Sequence, residues 1–262
     1  MATSVNSVCA ARWWTSIRRA QQSRQTPSYD PASVTERYTG VLTAADEFIG
    51  HKSLQAARSR LRAADAVVAR LIDERPDFDP HAWLAHLPPM DLYGALLFQI
   101  VGQQLSVAAT RRILGRIEAL FGGRLPAPFD LLAVDPDSLR QAGLSWRKVG
   151  TLRDLAERLS DGRLNVEALS RLPDDEFIAA LTAVPGIGPW TAQGALLIAL
   201  QREDVVLPGD LALRKAVQRA YQLDHLPSQQ EVLTIAEKWR PYRSLATSYL
   251  FSAVFDGTSR PP

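Results

Sequence analysis

The chain has 262 residues, enough for one large domain or two small ones, and 46% of them are hydrophobic, an ordinary share for a globular protein. Lys and Arg number 30 against 28 Asp and Glu, a net charge of +2, so the total carries no strong nucleic-acid signature. Its single cysteine, Cys9, excludes a disulfide framework, a cysteine zinc site and a four-cysteine iron–sulfur cluster, and fits a reducing cytoplasm; no apolar run reaches the roughly 20 residues that span a bilayer.

Residues 1–53 read as an N-terminal extension, and 54–262 as a helical domain. Met1–Tyr29 carries Arg12, Arg18, Arg19 and Arg24 without one acidic residue, and it lacks the apolar core of a signal peptide. Its composition fits a disordered tail, a basic arm on DNA or a transit-like segment. Leu54–Glu74 has helical periodicity through Leu61, Val68, Leu71 and Ile72, and Pro76 ends it. A short helix is expected at His81–Leu87. Asp91–Phe121 reads as one long helix or as two with a bend at Gly102, interrupted by Gln103, Gln104 and Ser106. Further helices are expected at Asp135–Ala142, Ser145–Leu159 and Asn165–Leu169. Arg147 and Lys148 stand in the first turn of the second of these, where the helix dipole disfavours cations.

The chain is organised around Thr182–Arg219. Asp174–Leu181 is acidic at its start and apolar later, as a helix should be. Val184–Gly188 then makes a tight turn, and Pro189 stands where a first helical position tolerates proline. Gly186 and Gly188 can take positive φ and leave the backbone uncovered, so their amides and the helix end behind them form an anion site suited to a phosphodiester. A turn with glycines present only for packing is the competing reading. Beyond it, Pro208 and Gly209 break the chain and Asp210 opens a basic helix containing Arg214, Lys215 and Arg219. Aspartate there is an ordinary N-cap, or a carboxylate held for chemistry. Ser228–Trp239 is expected to be a helix with a Ser228/Glu231 capping box, and Ser244–Phe255 an apolar closing helix. No stretch offers a convincing strand, so the chain is expected to be all-α.

Val184-Pro185-Gly186-Ile187-Gly188 followed by Asp210 resembles the signature of the helix–hairpin–helix DNA glycosylase superfamily, and Phe98–Ala109, Ala142–Val149 and Trp239–Ser244 look like its 3-methyladenine glycosylase II branch. The resemblance covers roughly Asp91–Phe255. It implies two helical subdomains flanking a cleft, one from the middle of the chain, the other from the early and C-terminal helices. It also implies a monomer that acts on double-stranded DNA holding a damaged base and hydrolyses the glycosidic bond of an alkylated purine. Asp210 is then the catalytic carboxylate. Gly186 and Gly188 hold a phosphate, Gln104, with Gln103 beside it, fills the space of the extruded nucleotide, and Arg214 and Lys215 are candidates for the DNA side, with a solvated helix face as the competing reading. Trp190 stands where strand-cleaving relatives carry a lysine, which implies no lyase step. Trp190, Phe251 and Tyr249 are the aromatic candidates for the base pocket, with core packing an equal reading for Trp190 and at least as good a one for the other two. Relatives also bind a monovalent cation, Na+ or K+, through hairpin carbonyls that fall here on Thr182, Val184 and Ile187; no other cofactor is implied. The rival readings are a non-catalytic hairpin DNA-binding module, a glycosylase for other damaged bases, and a protein scaffold.

Overall fold

The computed structural model describes residues 51–81 and 90–255, and everything it describes is helix, turn or irregular chain, with no strand. The basic segment Met1–Tyr29 lies outside the described residues, as does all but His81 of the helix expected at His81–Leu87. Among the described residues there are thirteen α-helices: α1 His51–Ala64, α2 Ala66–Asp73, α3 Leu92–Gly102, α4 Val107–Leu120, α5 Pro128–Ala133, α6 Pro136–Gln141, α7 Trp146–Ser160, α8 Val166–Arg171, α9 Asp174–Thr182, α10 Pro189–Ile198, α11 Leu211–Ala220, α12 Gln229–Ala236 and α13 Arg243–Phe255. A single 3₁₀ turn, Glu237–Trp239, joins the last two.

Local chemistry sets most of the boundaries. Ser106, Ser145, Asn165 and Ser228 each accept a backbone N–H through the side chain at a helix start. Ser228 and Glu231 form the reciprocal capping box. Two expectations are corrected. Leu54–Glu74 is not one helix: Asp65, in extended backbone, ends α1 and caps α2 by accepting from Val67 and Val68. The helix from Ser228 does not run to Trp239, since α12 gives way to the 3₁₀ turn at Glu237.

The chain divides into two compact units, residues 91–201 forming one and the flanking segments the other. In the flanking unit α1, α2, α11, α12 and α13 close over a core of Leu61, Ile72, Leu213, Val232, Trp239 and Tyr249. Here Asp65 has a second role. Its other oxygen accepts from the Tyr221 hydroxyl at 2.6 Å, and that hydroxyl accepts from Trp239 Nε1 at 3.2 Å. Burial and the Asp65 charge push the Tyr221 pKa up, so the hydroxyl stays a donor.

In the middle unit α3 is buried almost all round, packed on α4, α7 and α10. Gly194 lets α10 come this close, because a Cβ there would stand 2.1 Å from Gln99 Nε2. Helices α3 and α4 are bent 115° to one another at the break after Gly102, and among the described residues no single helix is long and apolar enough to cross a membrane.

Candidate functional site

In the middle unit the hairpin joins α9 to α10. Ile187 N–H returns to the Val184 carbonyl at 3.0 Å, closing the turn. Gly186 has φ +89, a conformation that side-chain-bearing residues rarely adopt, and a Cβ on it would stand 1.9 Å from Thr151 Oγ1 of α7. Glycine is therefore required here twice over. Gly188 does not use the positive φ that glycine permits. Its φ of −99 is extended, because it is the N-cap residue that launches α10 with Pro189 at the first position. Among the described residues the amides of Gly186 and Gly188 donate to no protein acceptor. They stand at the positive end of α10, whose dipole favours an anion. The carbonyls of Thr182 and Ile187 likewise accept from no donor there, while that of Val184 accepts from Ile187. These three carbonyls are oxygen ligands of the type a hard monovalent cation takes.

The second part is the break between α3 and α4. Leu105 N–H bonds the Gly102 carbonyl at 2.9 Å, Gln103 has φ −49 and ψ 123, and Gln104 has φ 63. These are the features of a type II turn, whose third residue needs positive φ and is usually glycine. Gln104 is exposed and held in this conformation at the tip. Gln103 turns the other way. Its Nε2 donates to the Gly186 carbonyl at 3.0 Å and to Thr191 Oγ1 at 3.2 Å, so the turn is hydrogen-bonded to the hairpin. Lys148 also holds the turn, its Nζ donating to the carbonyls of Val101 and Gln103 at 2.7 Å each. The cation that looked misplaced at the start of α7 thus serves the C-terminal end of α3, where the dipole is negative.

Trp190 is half-buried at the second position of α10. In the flanking unit Asp210 is 3% exposed, and one carboxylate oxygen accepts from Ala212 N at 2.7 Å and Leu213 N at 3.1 Å. The cap is real, and it fixes the carboxylate at the positive end of α11. Arg214 donates to the Pro227 carbonyl at 2.6 Å, whereas Lys215 is exposed. Tyr249 is fully buried, its ring 4.9 Å from that of Phe78, and Phe251 is 5% exposed. Both belong to the core of their unit. Among the described residues no group of His, Cys, Asp and Glu has the arrangement of a metal site.

Residues 98–241 match the HhH-GPD superfamily of base excision DNA repair proteins. The chain belongs to that superfamily. The match takes in Gln103, Gln104, Lys148, the whole hairpin and Asp210. A relative from Schizosaccharomyces pombe, DNA-3-methyladenine glycosylase 1, is 30% identical over 201 residues, which are 76% of this chain and 87% of that one. DNA-3-methyladenine glycosylase 2 of Escherichia coli is 31% identical over 163 residues, 58% of this chain and 54% of that one. The chain spans 64% of the length of YfjP from Bacillus subtilis, to which it is 28% identical. Among solved structures, a 3-methyladenine DNA glycosylase of S. pombe in complex with abasic DNA aligns with TM-score 0.68 at 27% identity, covering 79% of this HhH-GPD chain and all of the other. An 8-oxoguanine glycosylase/lyase of Clostridium acetobutylicum, at 18% identity and TM-score 0.65, shares the fold.

Proposed function

We propose that this HhH-GPD protein is a monofunctional DNA glycosylase that removes alkylated purines, of the 3-methyladenine and 7-methylguanine class, from duplex DNA and leaves an abasic site. The observation that carries the reading is the hairpin, whose Gly186 and Gly188 amides face no protein acceptor at the positive end of a helix. Such amides hold a backbone phosphate and set position without reading sequence. The target nucleotide leaves the stack, since its glycosidic bond is inaccessible inside the duplex, and the exposed Gln104 fills the space. The base stands against the face of Trp190. Alkylated purines are cationic, and attraction to an aromatic face contributes about 0.5–2 kcal/mol.

That positive charge also makes the base a good leaving group, so no strong general acid is needed. The bond from C1′ to the base nitrogen breaks with its electron pair leaving on the base. Water then adds to the oxocarbenium-like sugar, and Asp210 stabilises the cation or orients the water. With Trp190 and no amine at that position, no Schiff base forms and strand cleavage does not follow. Carbonyls of Thr182, Val184 and Ile187 would hold a monovalent cation if one is bound.

The observed cap favours one competitor, a non-catalytic binding module in which Asp210 only starts α11. Asn caps a helix as well as Asp does, so Asp210→Asn separates the two roles. The glycosylase reading expects release of methylated bases from treated duplex by the wild type and not by Asp210→Asn, at matched thermal stability, with strand breaks appearing only after alkali. Retained duplex binding with no release by either protein would make the binding module the better account.

A further inference from the structure

The first two turns of α7 touch both the α3–α4 turn and the hairpin. Lys148 donates to the carbonyls of Val101 and Gln103 in the α3–α4 turn, and Thr151, three residues on and on the same helix face, abuts Gly186 in the hairpin. Gln103 closes the triangle by bonding Gly186 and Thr191. From this geometry we propose that Lys148 and Gln103 are positioning residues that lock the Gln104 tip to the phosphate clamp at one fixed offset. The proposal rests on the glycosylase reading and deepens it.

The argument is one of strain and partners. Gln104 occupies a left-handed conformation that glycine would take more readily, and nothing in its own side chain holds it there. The neighbouring peptide must be held instead. Lys148 bonds the Gln103 carbonyl, which belongs to the peptide joining Gln103 to Gln104, and so fixes the plane on which φ of Gln104 turns. The Gln103 side chain then ties the same residue to the carbonyl of Gly186. A phosphate seated on the hairpin amides and a side chain entering the stack therefore belong to one rigid piece. Without the lock, the clamp still binds the backbone, but the tip no longer arrives at a set distance from it. The loss falls on base extrusion rather than on duplex affinity, and displacement of this kind can cost up to about 100-fold in rate.

The test uses the full chain, wild type against Lys148→Met, Lys148→Arg and Gln103→Met. Three readouts are needed: affinity for unmodified duplex, fluorescence of 2-aminopurine placed beside a tetrahydrofuran abasic analogue, and single-turnover release of bases from methylated duplex. Lys148→Met should bind unmodified duplex within about threefold of wild type. It should lose most of the fluorescence rise that reports unstacking, and release base roughly 10- to 100-fold more slowly. Lys148→Arg, which keeps donors for both carbonyls, should recover part of each. Unchanged fluorescence and release in Lys148→Met would overturn the proposal while leaving the glycosylase reading intact. If Lys148→Met does not fold, Gln103→Met is judged by fluorescence and release alone, with loss of both expected and retention of both overturning the proposal. A wild type that releases no base would overturn the glycosylase reading, and this proposal with it.

Discussion

At Gln104 a residue with a Cβ stands where φ is 63, and the side chain points away from the fold. Left-handed backbone costs an L residue about 1–2 kcal/mol, so stability alone would favour glycine. Gln104→Gly should therefore melt at or slightly above the wild-type temperature, because relief of strain roughly offsets the entropy that glycine loses. Excision from methylated duplex should nevertheless fall at least about tenfold, since the side chain proposed to fill the space is gone. A variant that keeps full activity would remove Gln104 from the mechanism. Legibility in the sequence differed sharply between the two adjacent glutamines. The polar interruption of an apolar helix marked both. Their opposite directions depend on Gly186 and Thr191, more than 80 positions away, and no local pattern carries that information. Gly186 was legible because a tight turn demands it, yet Gly188 did not share its conformation, because the start of α10 set the backbone there instead.

Among elements, α2 shows how one aspartate decides a boundary. Periodic apolar residues run through Leu61, Val68 and Leu71, which is why Leu54–Glu74 read as continuous. Asp65 in that run resembles a solvent-facing residue of a single helix. Instead it is 5% exposed, caps α2, and accepts from Tyr221, which in turn accepts from Trp239. The chain must break at Asp65 for one oxygen to reach the α2 amides and the other to reach Tyr221. Tyr221→Phe leaves the indole N–H and one carboxylate oxygen without this hydroxyl. The expected loss is about 1–3 kcal/mol in denaturant unfolding, the cost of orphaned buried polar groups, with little change in the slope against denaturant. A change under about 0.3 kcal/mol would mean that water or Lys238, whose Nζ is 3.9 Å from the same oxygen, replaces the hydroxyl. A cap whose partners lie within one turn, such as Ser228 with Glu231, was legible because the whole interaction is local.

For the whole molecule, a net charge of +2 and the proposed clamp of neutral amides set the expected character of DNA binding. Each phosphate neutralised by a protein cation contributes about −0.9 to the slope of log affinity against log salt on B-form DNA. Amides that donate to a phosphate add affinity without supplying such a cation. The slope for unmodified duplex should therefore be shallow, about −2 to −4, with binding that weakens but persists as salt rises. Exposed Lys215 and its half-buried neighbour Arg214 then behave differently. Lys215→Ala should make the slope shallower by about 1 if its ammonium meets a phosphate, uniformly across DNA sequences. Arg214 is bonded to the Pro227 carbonyl, so Arg214→Ala should act on the link from α11 to α12, lowering the melting temperature while leaving the slope close to that of wild type. A slope steeper than about −6 would show that a broad cationic surface, not the hairpin, carries the affinity. The small net charge would then conceal a strongly one-sided distribution of arginine, and the clamp would serve to orient a duplex that other groups had already captured.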